Sequence, residues 1–163
     1  MKIKVNDEIP NTKIYRMLNG QLEKSFLFDL TSKKKIILLG VPGAFTPTCT
    51  NEHLPSYVKK ISEFKNVGID QIICLVVNDL YIAELWEKKT GAKDVGLKVF
   101  SDPKSEFAKK TGLIFSAPEI GFLNRLQRFV MVVEDRVIKK IYTEEVKGAC
   151  ELTHGQNVFK NLL

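Results

Sequence analysis

Few residues in this sequence can do covalent chemistry. There are cysteines at 49, 74 and 150, histidines at 53 and 154, and arginines at 16, 125, 128 and 136. No two cysteines form a Cys-x-x-Cys pair, so neither a zinc ribbon nor a dithiol exchange motif is in place. Three cysteines are no disulfide framework for 163 residues, and two histidines supply a transition-metal site poorly. Free thiols in a reducing compartment are therefore expected, with the cytoplasm as the default location. Cys49 stands apart by its setting. It follows Val41-Pro42-Gly43-Ala44-Phe45-Thr46-Pro47-Thr48 and precedes a run with helical spacing. Free N–H groups and the dipole at a helix N-terminus favour a thiolate over a thiol. Thr46 can add a hydroxyl, and a nearby guanidinium would add charge. Pro42 and Pro47 stiffen the loop, and Pro42 also offers an apolar wall. Position alone leaves two readings open: a small buried hydrophobe, or a nucleophile in a crevice beyond a strand end.

Such a placement needs a strand before the loop and a helix after it. Lys35–Gly40 is a short apolar run ending in turn residues, as a buried strand would. Residues 50–64 place Leu54, Tyr57, Val58, Ile61 and Phe64 at helical spacing. Residues 71–77 read as a second buried strand and 81–90 as a helix stopped by Gly91. A strand at 98–100 and a helix at 105–111, stopped by Gly112, follow. Two strands, 129–134 and 137–142, are joined by a tight connection, and 156–162 closes the chain as a helix. Strand-helix-strand units followed by a hairpin predict an α/β layer fold, a central mixed sheet flanked by helices, in one domain over 1–163.

The formal charge of +6 is nearly all lysine, dispersed along the chain. No basic cluster carries interleaved aromatics, so a solvated surface is expected rather than a nucleic-acid partner. The apolar runs are too short to cross a bilayer. The first eight residues lack the apolar core of a secretory signal and read as a soluble N-terminus.

The loop Pro42-Gly43-Ala44-Phe45-Thr46-Pro47-Thr48-Cys49 closely resembles the active-site loop of peroxiredoxins, with the spacing Pro-x-x-x-Thr-x-x-Cys. Together with His53-Leu54-Pro55 it is similar to the peroxiredoxin-5, or type II, subgroup. The likeness extends through Val76-Val77-Asn78-Asp79, Ser101-Asp102-Pro103 and Arg125-Leu126-Gln127-Arg128-Phe129. The resemblance implies a thioredoxin-like fold and reduction of hydrogen peroxide and alkyl hydroperoxides, with no cofactor and no metal. Cys49 becomes the peroxidatic nucleophile, Thr46 and Arg128 complete the site, and Pro42 shapes it. Arg125 is a candidate support for the pocket. His53, one turn beyond Cys49, faces either the pocket or solvent.

Oxidised Cys49 would be a sulfenic acid that something must reduce. Cys74 matches a cysteine found in many type II members but lies in an apolar strand. Cys150 falls in an expected loop and is the more available. In the register with Gly148-Ala149-Cys150-Glu151-Leu152-Thr153, however, it replaces an aromatic of members that lack a resolving cysteine. The favoured expectation is a one-cysteine cycle with glutathione and glutaredoxin or thioredoxin as reductant. The alternatives are an atypical two-cysteine cycle through Cys150, or a redox relay or chaperone module on the same fold. The subgroup implies a homodimer, with the apolar, loop-like segment 116–123 as a candidate contact.

Overall fold

Two strands that are buried on both faces form the centre of the molecule. In the computed structural model, which describes residues 2–163, β3 (Lys35–Gly40) pairs in parallel with β4 (Gln71–Val76). Met1, at the head of the N-terminal stretch considered above, lies outside the described residues. Successive side chains of a strand point to opposite faces, so Ile37 and Leu39 enter one core while Ile36 and Leu38 enter the other. Burial on both sides explains why these runs are continuously apolar rather than alternating.

The sheet grows outward from this pair. β5 (Lys98–Ser101) adds in parallel to β4, and β8 (Phe129–Glu134) adds antiparallel to β3, followed by β9 (Val137–Thr143). At the far edge lie β1 (Lys13–Leu18) and β2 (Gln21–Phe26), giving the order β2-β1-β5-β4-β3-β8-β9. On one face pack α2 (Leu54–Val58), α3 (Ile61–Asn66), α4 (Leu80–Lys89) and α6 (Gly155–Lys160); on the other lie α1 (Leu27–Thr31) and α5 (Glu106–Thr111). α4 is fixed by a buried ion pair: Arg16 Nη2 of β1 lies 3.1 Å from Glu87 Oε1, and Glu87 Oε2 accepts from the Val99 N–H of β5. The expected mixed sheet flanked by helices is the observed architecture.

Three elements differ from expectation. The helix expected over 50–64 is broken into a π-helical turn, Cys49–His53, then α2, a break at Lys59 and Lys60, and α3. Pro55 lacks a donor and crowds the preceding turn, and the wider π turn accommodates it. The β1–β2 hairpin was not anticipated, because β2 is largely solvent-facing and shows no apolar alternation. It is closed by Asn19 and Gly20, both with positive φ, the pairing that a two-residue hairpin turn requires. Segment 116–123 is not loop-like. It belongs to a separate hairpin of β6 (Ile114–Ala117) and β7 (Phe122–Leu126), joined by a 3-10 turn at Pro118–Ile120.

Gly40, the last residue of β3, lies opposite Phe129, and a Cβ added there would fall inside the Phe129 ring. That ring is fully buried and stacked on Phe107, so it cannot step aside. Gly40→Ala is expected to lower stability by about 1–3 kcal/mol through overpacking, read as a reduced urea midpoint at unchanged slope.

Candidate functional site

The register of two strands sets the site. Because Gly40 pairs with Phe129, the C-terminal end of β3 and the N-terminal end of β8 lie side by side. The loop 41–48 leaves from the first, and Arg128 stands one residue before the second. Cys49 opens the π turn beyond that loop and is buried, at 1% exposure. Arg128, itself 5% exposed, spreads its fork between two acceptors: Nη2 donates to Cys49 Sγ at 3.3 Å, and Nη1 lies 2.9 Å from His53 Nδ1.

That geometry fixes the histidine. A guanidinium in a protein only donates, so Nδ1 of His53 must accept and the ring proton sits on Nε2. The ring is fully buried, and Nε2 has no hydrogen-bond partner. Burial first, and the adjacent Arg128 charge second, hold His53 well below the usual histidine range, outweighing the Thr153 backbone that favours the charged form. His53 therefore faces inward, toward Arg128, and is neutral at physiological pH.

The loop is held from below. Asn78, just past β4, accepts through Oδ1 from the Ala44 N–H at 2.9 Å and from Arg125 Nη1 at 3.3 Å. Arg125 also donates to the Pro42 carbonyl at 3.1 Å and stacks over Phe122. It thus supports the loop rather than touching the sulfur. Thr46 donates its hydroxyl proton to the Gly43 carbonyl at 2.7 Å rather than to Cys49. Thr50 Oγ1 accepts from Trp86 Nε1, tying the π turn to α4. Phe45 adopts φ 61°, a strained conformation for an aromatic residue, and is half exposed at the rim.

Above Cys49 opens a cavity of about 670 Å³. Pro42, Thr46 and Arg128 reach it, Phe115 and Phe122 of the β6–β7 hairpin form one wall, and residues 146–148 form another. Such a volume exceeds what hydrogen peroxide needs and admits an organic group beside the sulfur.

The sequence-predicted residues Cys49, Thr46, Arg128, Pro42 and His53 converge here, with Arg125 beneath. The other two cysteines do not join them in one way. All three thiols are free. Cys74 lies on the same face of the sheet as Cys49 but is buried in β4, and burial raises its pKa well above the ordinary thiol value. Cys150 is half buried in the loop after β9, and burial raises its thiol pKa too. Asn78 had no role assigned from sequence; a polar residue closing a buried strand at its C-terminal end is the signal that could have found it.

The redoxin family model matches residues 4–157. Peroxiredoxin sll1621 of Synechocystis sp. is 39% identical over 90% of this chain and 75% of its own length. Reduced Prx3 of Vibrio vulnificus in complex with hydrogen peroxide superposes with a TM-score of 0.93 at 27% identity, covering 99% of each chain. The Plasmodium falciparum antioxidant protein, a 1-Cys peroxiredoxin, gives 0.88 at 29% identity, covering 98% of each.

The neutral, buried His53 makes a prediction about stability. Its folded pKa lies below the unfolded value of about 6.5, so its contribution is complete above that pH and declines as pH falls through the window beneath it. One proton bound only by the unfolded chain gives a slope of at most about 1.4 kcal/mol per pH unit. His53→Asn keeps an acceptor for Arg128 but does not titrate, so urea unfolding at a series of pH values should show a shallower acid slope than wild type.

Proposed function

Because the chain belongs to the redoxin family as a type II, peroxiredoxin-5-like peroxiredoxin, a thiol-dependent peroxidase with a thioredoxin-like fold, we propose that Cys49 is its peroxidatic nucleophile and that Arg128, Thr46 and Pro42 complete the site. The observation that carries this reading is the Arg128 fork on Cys49 Sγ at the floor of the cavity.

In the proposed step the Cys49 thiolate attacks the terminal oxygen of ROOH. The S–O bond forms as the O–O bond breaks, leaving Cys49 as a sulfenic acid and the other oxygen as RO⁻, which takes a proton from solvent. Negative charge spreads over sulfur and both oxygens in the transition state, and the buried guanidinium stabilises it. Arg128 holds charge without giving up its proton. The Thr46 proton is already committed to Gly43, so its oxygen is free to accept the O–H of the entering peroxide and orient it. His53 Nδ1 anchors the other arm of the fork, and Pro42 walls the sulfur.

A thiol then attacks the sulfenic acid, releasing water and forming a mixed disulfide, and a second thiol restores Cys49. We take the cycle to use one cysteine of this chain, with glutathione and glutaredoxin or thioredoxin as the reductant. The burial of Cys74 in a paired strand and the half-burial of Cys150 support this reading, and the cycle through Cys150 is its alternative. The same reading takes residues 1–163 as one domain, working in the reducing cytoplasm. It also takes a homodimer to pack around the cavity mouth, where Phe45, Ile120 and Leu123 are exposed.

Peroxide consumption with dithiothreitol tests the roles. Cys49→Ser should abolish turnover, Arg128→Gln should lower kcat/KM by about 10²–10³-fold, and Thr46→Val by about tenfold. Turnover surviving in Cys49→Ser would overturn the assignment.

A further inference from the structure

Glu144, the residue after β9, closes a loop that runs to Thr153. Its Oε1 accepts three hydrogen bonds: from the Glu151 N–H at 2.9 Å, the Thr153 N–H at 2.8 Å and the Thr153 hydroxyl at 2.7 Å. Glu144 and Thr153 are buried, at 8% and 0% exposure, so the two Thr153 donors have little water to turn to if the carboxylate is removed. The Glu144 carbonyl in turn accepts from Gln127 Nε2, next to Arg128.

This loop is not remote from the chemistry. Residues 146–148 line the cavity, and Thr48, beside Cys49, donates its hydroxyl to the Gly148 carbonyl at 3.0 Å. Tyr57 of α2 donates to the Thr153 carbonyl at 2.7 Å. The loop also carries Cys150, whose sulfur lies 3.8 Å from the Thr153 hydroxyl. That hydroxyl has one proton, and the carboxylate at 2.7 Å takes it. Cys150 is thus held by the folding of the loop, not by a strong bond of its own.

We propose that Glu144 is a positioning residue: its carboxylate clasps the loop 144–153, seating one wall of the cavity and keeping Cys150 half buried. The wall's effect on substrate rests on the reading that peroxide enters this cavity; the shielding of Cys150 does not. Bulky hydroperoxides depend on the wall, whereas hydrogen peroxide, small enough to reach Cys49 without touching it, depends on it less.

The test uses the full chain with Glu144→Ala, Glu144→Gln and Thr153→Val. Cys150 of the reduced protein, with no peroxide present, is alkylated with iodoacetamide and followed by peptide mass. In Glu144→Ala its rate should rise about tenfold, and the kcat/KM for cumene hydroperoxide relative to hydrogen peroxide should fall about fivefold. Glu144→Gln, which keeps an acceptor oxygen, should lie nearer wild type on both measures. If Glu144→Ala does not fold, Thr153→Val decides, since it removes one of the three donors and should raise labelling by a smaller factor. Unchanged Cys150 labelling in the folded variant overturns the clasp. Raised labelling with an unchanged substrate ratio overturns the cavity-wall half of the proposal. Because labelling is read without peroxide, its outcome is independent of whether Cys49 is the nucleophile.

Discussion

The site depends on a buried guanidinium. Taking a cation out of water costs several kcal/mol unless something nearby compensates it. Among the described residues no Asp or Glu forms an ion pair with Arg128. Its hydrogen-bonded acceptors in the site are a neutral imidazole nitrogen and the Cys49 sulfur. His53 supplies orientation but no charge, because burial and Arg128 itself keep its ring neutral. Negative charge on the sulfur, or on the oxygens of a peroxide beside it, is what the buried cation lacks. That demand is the electrostatic core of the proposed peroxidase step.

The rest of the fold brings the two partners together and keeps them there. The Gly40–Phe129 register places the start of the loop 41–48 beside Arg128, and the missing Cβ at Gly40 makes room for the Phe129 ring. Asn78 and Arg125 brace the loop from beneath through Ala44 and Pro42. The π turn carries Cys49 and His53 on one side, so both sulfur and ring meet the same guanidinium. From above, the Glu144 loop and the β6–β7 hairpin bound the cavity.

Much of this was legible in the sequence where a local pattern reports a local cause. The apolar runs of β3 and β4, the helix stops at Gly91 and Gly112, and the β8–β9 hairpin follow from burial and backbone freedom, and all are present. The loop motif singled out Pro42, Thr46 and Cys49 as candidates and the segment 125–129 singled out Arg128, and these four side chains do converge. What escaped was set by distant partners. The orientation of His53 depends on Arg128, 75 residues away. The bracing by Asn78 depends on Arg125, and the seating of Cys150 depends on a carboxylate reaching across the loop. β2 was missed because its exposed face leaves no alternation to read, and segment 116–123 because Pro118 and Gly121 mask the pairing on either side.

The most direct measurement of the central claim maps the sulfurs after one equivalent of hydrogen peroxide. The enzyme is trapped with a sulfenic-acid reagent and digested for peptide mass analysis. The account predicts the label on Cys49, with Cys74 and Cys150 still free thiols. A Cys49 left unlabelled with the oxidation elsewhere would contradict the nucleophile assignment, and a Cys49–Cys150 disulfide would contradict the one-cysteine cycle.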